Sequence, residues 1–569
     1  MTKATIHKGI ATLLLALVFV IGACGQGTDT PAGGTAPAAA PAAGETETPA
    51  TAAGEDAGGM PSFRVIIGRP AIIEDLQTND VSIWLEEHTG IFVQYDQLPM
   101  EGIDERVALM IAGGDLPDAF IHSSISAAQV VQFGIMDEQF IPLDNLIHSY
   151  IPNLIDAMNH YGRGLDLIRQ VDGQIWGLPA INPCYHCSRA HRMWVNVEWR
   201  DNLNIPVPTT IDEFTDMLRS FRDNDPTGTG SEVIPLSGSM TGSGWHTQSL
   251  FFLAQSFLPF DHIQHGFMVD ANDRVYNAIT DPRFREALRY LNMLHTEGLM
   301  YSGALIQDQD MLRMQMMNPG HALVGAASGG FHGQLGEIGS ERMRQYLPQR
   351  PLIGPGGEQH SWSSLQEPMI NRLVITRVAE DPALIARWAN YFYSHEVTAT
   401  LYNGLEDIGW RWAEGGEVGF HGNPALWFAL VPYFAEMGGQ RNDVWTQLGI
   451  FNYSHSWRVG QAVEPGVDLY SPEGLENLLH IVTEQYMEPY NWDHLVLPTL
   501  NLTADEFNVV GILRTEWEIF FEESIFNFVS GQWNLEGDWD TFINNVYGVY
   551  RMNDMLEIYQ AAFDRAYGG

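Results

Sequence analysis

Cysteine is scarce in this 569-residue chain, which holds 3: Cys24, Cys184 and Cys187. A structural zinc site normally needs four protein ligands, and no second cysteine pair exists to complete one around Cys184-Tyr185-His186-Cys187, even with His191 nearby. Basic side chains are scarce as well. With 29 Lys and Arg against 70 Asp and Glu the net charge is -41, which excludes nucleic acid, whose phosphates demand a cationic surface. The same field repels a polyanionic ligand that lacks a local cationic pocket, so a neutral ligand fits better. The plainer reading of the acidity is that it keeps an exported protein soluble. Catalytic signatures are missing too: there is no Gly-x-Ser-x-Gly elbow, no His-Glu-x-x-His and no Gly-x-x-x-x-Gly-Lys-Ser/Thr loop. There is no internal repeat, and no membrane-length apolar run follows the N-terminal segment.

That N-terminal run is informative. Lys3 and Lys8 precede the apolar stretch Ile10 to Ile21, which ends at Ile21-Gly22-Ala23-Cys24. The run is too short for a spanning helix, which needs about 20 apolar residues. Small residues before a cysteine match a bacterial lipobox, so residues 1–23 are expected to be a lipoprotein signal peptide and Cys24 the lipid-bearing residue. The expected location is the outer face of the cytoplasmic membrane, with the membrane contacted through lipid. Residues 24–61 follow as an Ala/Pro/Gly/Thr tract that cannot bury enough surface to fold. As a flexible coil it would hold the body roughly 30–40 Å from the lipid.

Beyond Pro61 the chain is too long for one core and reads as two lobes. Helix starts are marked by caps: Thr210-Ile211-Asp212-Glu213, Asp281-Pro282, Asp381-Pro382 and Thr503-Ala504-Asp505-Glu506. Short apolar runs such as Arg64 to Ile67, Ile91 to Val93 and Arg372 to Ile375 read as strands. The alternation implies an α/β fold with mainly parallel sheets.

Several segments in a shared order resemble one family. They are Asp115-Leu116-Pro117-Asp118 after Ala112-Gly113-Gly114, Ile141-Pro142-Leu143, Tyr150-Ile151-Pro152-Asn153, Asp172-Gly173-Gln174-Ile175-Trp176-Gly177-Leu178-Pro179, and Trp194-Val195-Asn196 before Pro208-Thr209-Thr210. With Phe528-Val529-Ser530-Gly531 through Trp539-Asp540 to Arg565, they look like extracellular solute-binding proteins of family 1, in the large oligosaccharide-binding lipoprotein branch that serves ABC sugar importers. The resemblance implies a two-lobe type II periplasmic-binding-protein fold, with lobe 1 at 62–180 and 355–405 and lobe 2 at 181–354 and 406–569. Crossings are then expected near 179–189, 352–362 and 403–412. It further implies a monomer that is not an enzyme and needs no cofactor. Such a protein closes on a carbohydrate and presents it to the permease subunits of an importer.

A sugar site needs flat aromatic platforms beside hydrogen-bonding side chains. Trp245 stands in a turn-rich setting, where an indole is easier to explain by binding than by packing. Trp362, Trp410, Trp412 and Trp457 with Arg458 have mixed polar surroundings and are further candidates, against the alternative of core aromatics. Glu406 and Asp407 could accept sugar hydroxyls or form a solvated turn. His122 and Ser123 follow the strand Ala119-Phe120-Ile121 at its carboxyl end.

Two constellations could be metal sites. On the family pattern, calcium ligands would be Asp225, Thr227, Thr229, Ser231 and Glu232, but Thr replaces the usual Asn twice and the loop is a residue short. The alternative is a loop held by its own hydroxyls. For Cys184 and Cys187 a local disulfide is the expectation outside the membrane, with zinc and redox chemistry as alternatives. The rival functions are a lipid-anchored glycoside hydrolase, which needs two carboxylates across a bond, and a sugar receptor or adhesin that feeds no transporter.

Overall fold

The computed structural model describes residues 59–121, 125–242, 244–432 and 439–568. The signal segment, Cys24, most of the linker, His122 and Ser123 lie outside the described residues. The strands are β1 (Ser62–Arg69), β2 (Phe92–Pro99), β3 (Ala119–Ile121), β4 (Leu178–Ala180), β5 (Arg192–Asn196), β6 (Ile234–Leu236), β7 (Phe267–Val269), β8 (Val275–Asn277), β9 (Val324–Gly329), β10 (Tyr346–Gln349), β11 (Met369–Ile375), β12 (Trp410–Trp412) and β13 (Trp427–Ala429).

All four helices announced by their caps are present. Thr210 accepts from the Glu213 N–H and Glu213 from the Thr210 N–H, both at 3.2 Å, opening the helix Ile211–Asp223. Asp281 caps Pro282–Thr296, Asp381 caps Pro382–Tyr391 and Thr503 caps Ala504–Ser530. The last ends at Gly531 in the left-handed conformation, where a side chain would be strained. No described helix is long and apolar enough to cross a membrane.

Two sheets organise two lobes. The first has the order β2-β1-β3-β11-β4, and the second β10-β5-β9-β6. Neither is mainly parallel: β1 pairs parallel with β2 and β3, whereas β11 runs antiparallel between β3 and β4. In the second sheet β5 is antiparallel to both β9 and β10, and β6 is parallel to β9. The expectation failed because β11 comes from a segment far along the chain and enters from the opposite direction.

Alternation along the strands divides each lobe into two cores. Val65 and Ile67 of β1 face one core and Ile66 another, with Leu373 and Ile375 opposed to Val374 in β11. In β5, Met193 and Val195 face one core of the second lobe and Trp194 the other. The sequence-based boundary at 405 does not match this packing. Trp410, Trp427, Trp445 and Trp457 are all buried in the core of the first sheet; the hairpin of β12 and β13 brings the first two, and the later segment that holds Trp445 and Trp457 brings the others. Trp362, expected near the second crossing, packs into the second lobe. We propose the division 62–181 with 369–459 for the first lobe and 189–362 with 475–568 for the second, which moves the last crossing to the segment after Trp457.

Candidate functional site

A cavity of about 420 Å³ opens where the lobes meet. One wall belongs to the first lobe and consists of Tyr402 and Asn403 from the end of the helix His395–Asn403, Trp427 of β13, and Tyr453. Its aromatics are braced from behind. Trp427 stacks on Trp457 with ring centroids 5.4 Å apart and planes 9° apart, and its Nε1 donates to the Trp457 carbonyl at 2.9 Å. His395 stacks on Trp457 at 4.8 Å. Tyr402 and Tyr453 lie 4.6 Å apart.

The opposite wall comes from the second lobe, with Trp245, Phe331, Gln334 and Leu479. Trp245 sits over a backbone with no side chain to spare: a Cβ on Gly330 would lie 2.2 Å from its Cε3. The Gly330 N–H donates to the Trp245 carbonyl at 2.9 Å. The buried Arg192 then holds this seat to the first crossing, donating to the carbonyls of Gly330 and His186 and to the Thr483 hydroxyl. Burial brings its guanidinium down to about 9.

Between the walls lies a polar floor built from the crossings. Arg458 Nη2 donates to Asn182 Oδ1 at 2.7 Å and Nη1 to Glu476 Oε2 at 3.2 Å, while its guanidinium sits 4.2 Å from the Tyr453 ring centroid. Burial opposes the charge on Arg458, but Glu476, Tyr453 and Tyr402 outweigh it and hold the group above its ordinary range. Burial pushes the Glu476 carboxyl up, with Arg458 pulling the other way. His186 lies 3.7 Å from Glu476 and is held neutral, by burial first and by the charges of Arg458 and Arg192 next. Cys187 also lines the cavity and is joined to Cys184 by a disulfide, with Cα atoms 5.1 Å apart.

Of the sequence-based candidates, the structure brings Trp245 and Arg458 to the cavity. Trp457 stands one layer behind, as the support of Trp427. Trp410 is fully buried and donates to Thr400 Oγ1 at 3.2 Å, and Trp412, 47% exposed, packs edge-on against it outside the cavity. Trp362 donates to Asp261 Oδ1 at 3.2 Å inside the second lobe. Glu406 and Asp407 form a tight turn, with Asp407 at φ +63° and its N–H donating to the Trp410 carbonyl at 2.7 Å. Trp427 was not legible as a cavity residue because its neighbours Leu426 and Phe428 are apolar, which reads as core; Tyr402 and Tyr453 have mixed neighbours that single out neither, and all three are both core and lining.

The 225–232 loop lies elsewhere, on the surface. Asp225 accepts from Thr227 Oγ1 at 2.8 Å and from the Gly230 N–H at 2.9 Å, Thr227 and Thr229 hydroxyls meet at 2.7 Å, and Thr229 donates to Ser231 at 2.9 Å. The hydrogen bond from Thr227, then that from Gly230, holds the Asp225 carboxyl below its usual range. Glu232 is exposed.

No protein-family model matches the sequence. The chain is 26% identical over 319 residues to the fructooligosaccharide ABC transporter substrate-binding protein FusA of Streptococcus pneumoniae, covering 54% of this chain and 56% of that one. It is 22% identical over 230 residues to lipoprotein LipO of Bacillus subtilis, covering 39% and 42%. The chain thus spans about half the length, or less, of these curated relatives in sequence. Structurally the likeness is wider. FusA in complex with kestose superposes with a TM-score of 0.74 at 18% identity, covering 89% of this chain and 99% of that one. A FusA EF-hand mutant bound to fructo-nystose gives 0.72 at 19% identity, covering 89% and 99%. The alginate-binding protein AlgQ2 without calcium ion gives 0.62 at 18% identity, covering 89% and 98%. The solved structures share the two-lobe fold of this chain, and in sequence about half of it is similar to an extracellular solute-binding protein.

Proposed function

We propose that this protein captures a carbohydrate, an oligosaccharide in particular, between its two lobes and delivers it to the permease of an ABC importer. The observation that carries the reading is the cavity: aromatic faces approach from both lobes over a buried Arg458–Glu476 floor. Sugar C–H faces stack on such rings, and their hydroxyls need the donors and acceptors that the floor and Asn182, Asn403 and Gln334 supply. Its volume lies within the range of small-molecule sites, about 300–1,000 Å³. A ligand touching both walls stabilises the closed form, which a permease can read. The names of FusA and LipO support the transport and lipoprotein readings, with Cys24 as the lipid-bearing residue and the outer face of the membrane as the location. The hydrolase reading is disfavoured because, among the described residues lining the cavity, Glu476 is the one carboxylate, and glycoside hydrolysis uses two.

The test is calorimetric titration of the full chain with an oligosaccharide panel that includes kestose, with chromatography of the sugar afterwards. Saturable binding without breakdown is expected. Breakdown of the sugar would install the hydrolase reading, and absence of binding across the panel would remove carbohydrate as the ligand class.

Calcium is not required in this reading. The names of two structural relatives mention an EF-hand and a calcium ion, but the loop's hydroxyls here donate to one another and to Asp225, a donor set poor in carboxylates. A chelator is therefore expected to leave both the melting temperature and the oligosaccharide affinity unchanged. A fall in either on chelation, restored by calcium, would reverse this conclusion.

A further inference from the structure

Behind Trp245 the second lobe contains a group of side chains that the cavity does not use. His191 precedes β5, His246 lies in the loop before the helix Ser249–Ala254, and His262 follows that helix. All three are buried, with ring centroids 4.9–5.5 Å apart. One ligand nitrogen from each lies within 4.8 Å of the others. Their hydrogen bonding is incomplete. His191 Nε2 meets the Gln248 carbonyl at 3.1 Å, but His191 Nδ1, His246 Nδ1 and both nitrogens of His262 have no partner. Buried polar atoms are seldom left unpaired, so one open nitrogen on each of three neighbouring rings calls for an occupant.

We propose that His191, His246 and His262 form a buried three-imidazole site for a late first-row transition-metal ion of the zinc type. Imidazole nitrogen is the ligand such ions prefer, and three histidines with one further position make a tetrahedral set. At metal–nitrogen distances near 2.0–2.1 Å the ligand atoms stand about 3.4 Å apart, so the rings close in on the ion by small side-chain rotations. The surroundings suit a fixed site: Phe251 stacks on His262 at 4.8 Å, Phe252 packs edge-on against His191 at 6.1 Å, and Trp362 sits 4.3 Å from His246. The buried carboxylate of Asp261, held by Trp362, supplies negative charge beside His262. Arg192 works against the ion, but its guanidinium is directed to the carbonyls of Gly330 and His186. His246 takes φ +58°, an uncommon conformation for a residue with a side chain, which aims its ring at the other two. The other cysteine–histidine group, Cys184 with His186 and Cys187, has its sulfurs tied up in a disulfide and offers no thiolate.

The experiment is titration of the metal-stripped full chain with Co²⁺ and Zn²⁺, following the visible d–d absorption of cobalt and the metal content after desalting. One ion per chain with a tetrahedral cobalt spectrum is expected, displaced by Zn²⁺. His262→Gln and His246→Gln should each weaken binding by about tenfold or more, while Cys184→Ser with Cys187→Ser should leave it intact. X-ray absorption of the unmutated Zn²⁺-loaded chain, expected to show three imidazole nitrogens, decides the matter even if a histidine variant fails to fold. No retained ion, a coordination shell without imidazole, or binding that survives the histidine variants would overturn the proposal.

Discussion

The two walls of the cavity carry similar aromatic residues but are built differently. Trp427 is 1% exposed and stacked on Trp457 within the main core of the first lobe, so its position is set by packing that would exist without a ligand. Trp245 is half-buried, on a turn, and positioned by the missing side chain of Gly330 and the reach of Arg192. One wall is an outcrop of core; the other is a loop resting on a backbone seat. The lesson is that one binding surface can combine a platform fixed by folding with one fixed by a few local contacts, and mutation should separate them.

The widest separation is expected from the two tryptophans. Trp427→Ala removes a buried indole and unseats Trp457, which should cost about 3–5 kcal/mol of folding stability. Trp245→Ala, at a half-exposed site, should cost roughly a third of that while weakening oligosaccharide binding just as strongly. Urea midpoints and titration calorimetry of both variants check this. Equal losses of stability would show that the walls are built alike after all.

Gly330→Ala sharpens the comparison with a single methyl. The added Cβ would meet the Trp245 ring at 2.2 Å, and because the indole is half-buried it can move away rather than break the core. A stability loss of about 1–3 kcal/mol is expected, with affinity falling about tenfold, equivalent to about 1.4 kcal/mol. Restored affinity in Gly330→Ala with Trp245→Phe would show that the clash with the indole is the cause. Unchanged affinity in Gly330→Ala itself would mean that Trp245 does not touch the ligand.

How much of this could be read in advance depends on the range of the interaction. Caps and periodicity act within a few residues, so the helices that follow Thr210, Asp281, Asp381 and Thr503 were all legible. The insertion of β11 between β3 and β4 was not, because nothing in Met369–Ile375 states which strands it will meet. The same holds for tryptophan. Flanking glycines marked Trp245 as a loop residue, but the equally polar flanks of Trp457 conceal that it is braced between Trp427 and His395. Trp427 was invisible for the opposite reason, since an apolar neighbourhood describes a core residue whether or not one edge of it faces a cavity.

The smallest effect expected concerns acid, and it falls on the second wall. His332 follows Phe331 and is fully enclosed between Trp194, 5.5 Å away, and Tyr470, 4.9 Å away, with Arg344 and Asp468 as the charged groups facing it. Burial, more than the nearby Arg344, lowers its imidazole to about 4, against a weaker upward pull from Tyr470 and Asp468. The folded state thus prefers the neutral ring more than the unfolded chain does. The stability this contributes is complete above about 6.5 and is lost as pH falls towards about 4. Urea midpoints of the unmutated chain should therefore fall between pH 7 and pH 4.5, and His332→Gln, which cannot titrate, should lose less over the same interval. If both lose the same amount, the acid sensitivity belongs to other histidines and the second wall is no softer to acid than the first.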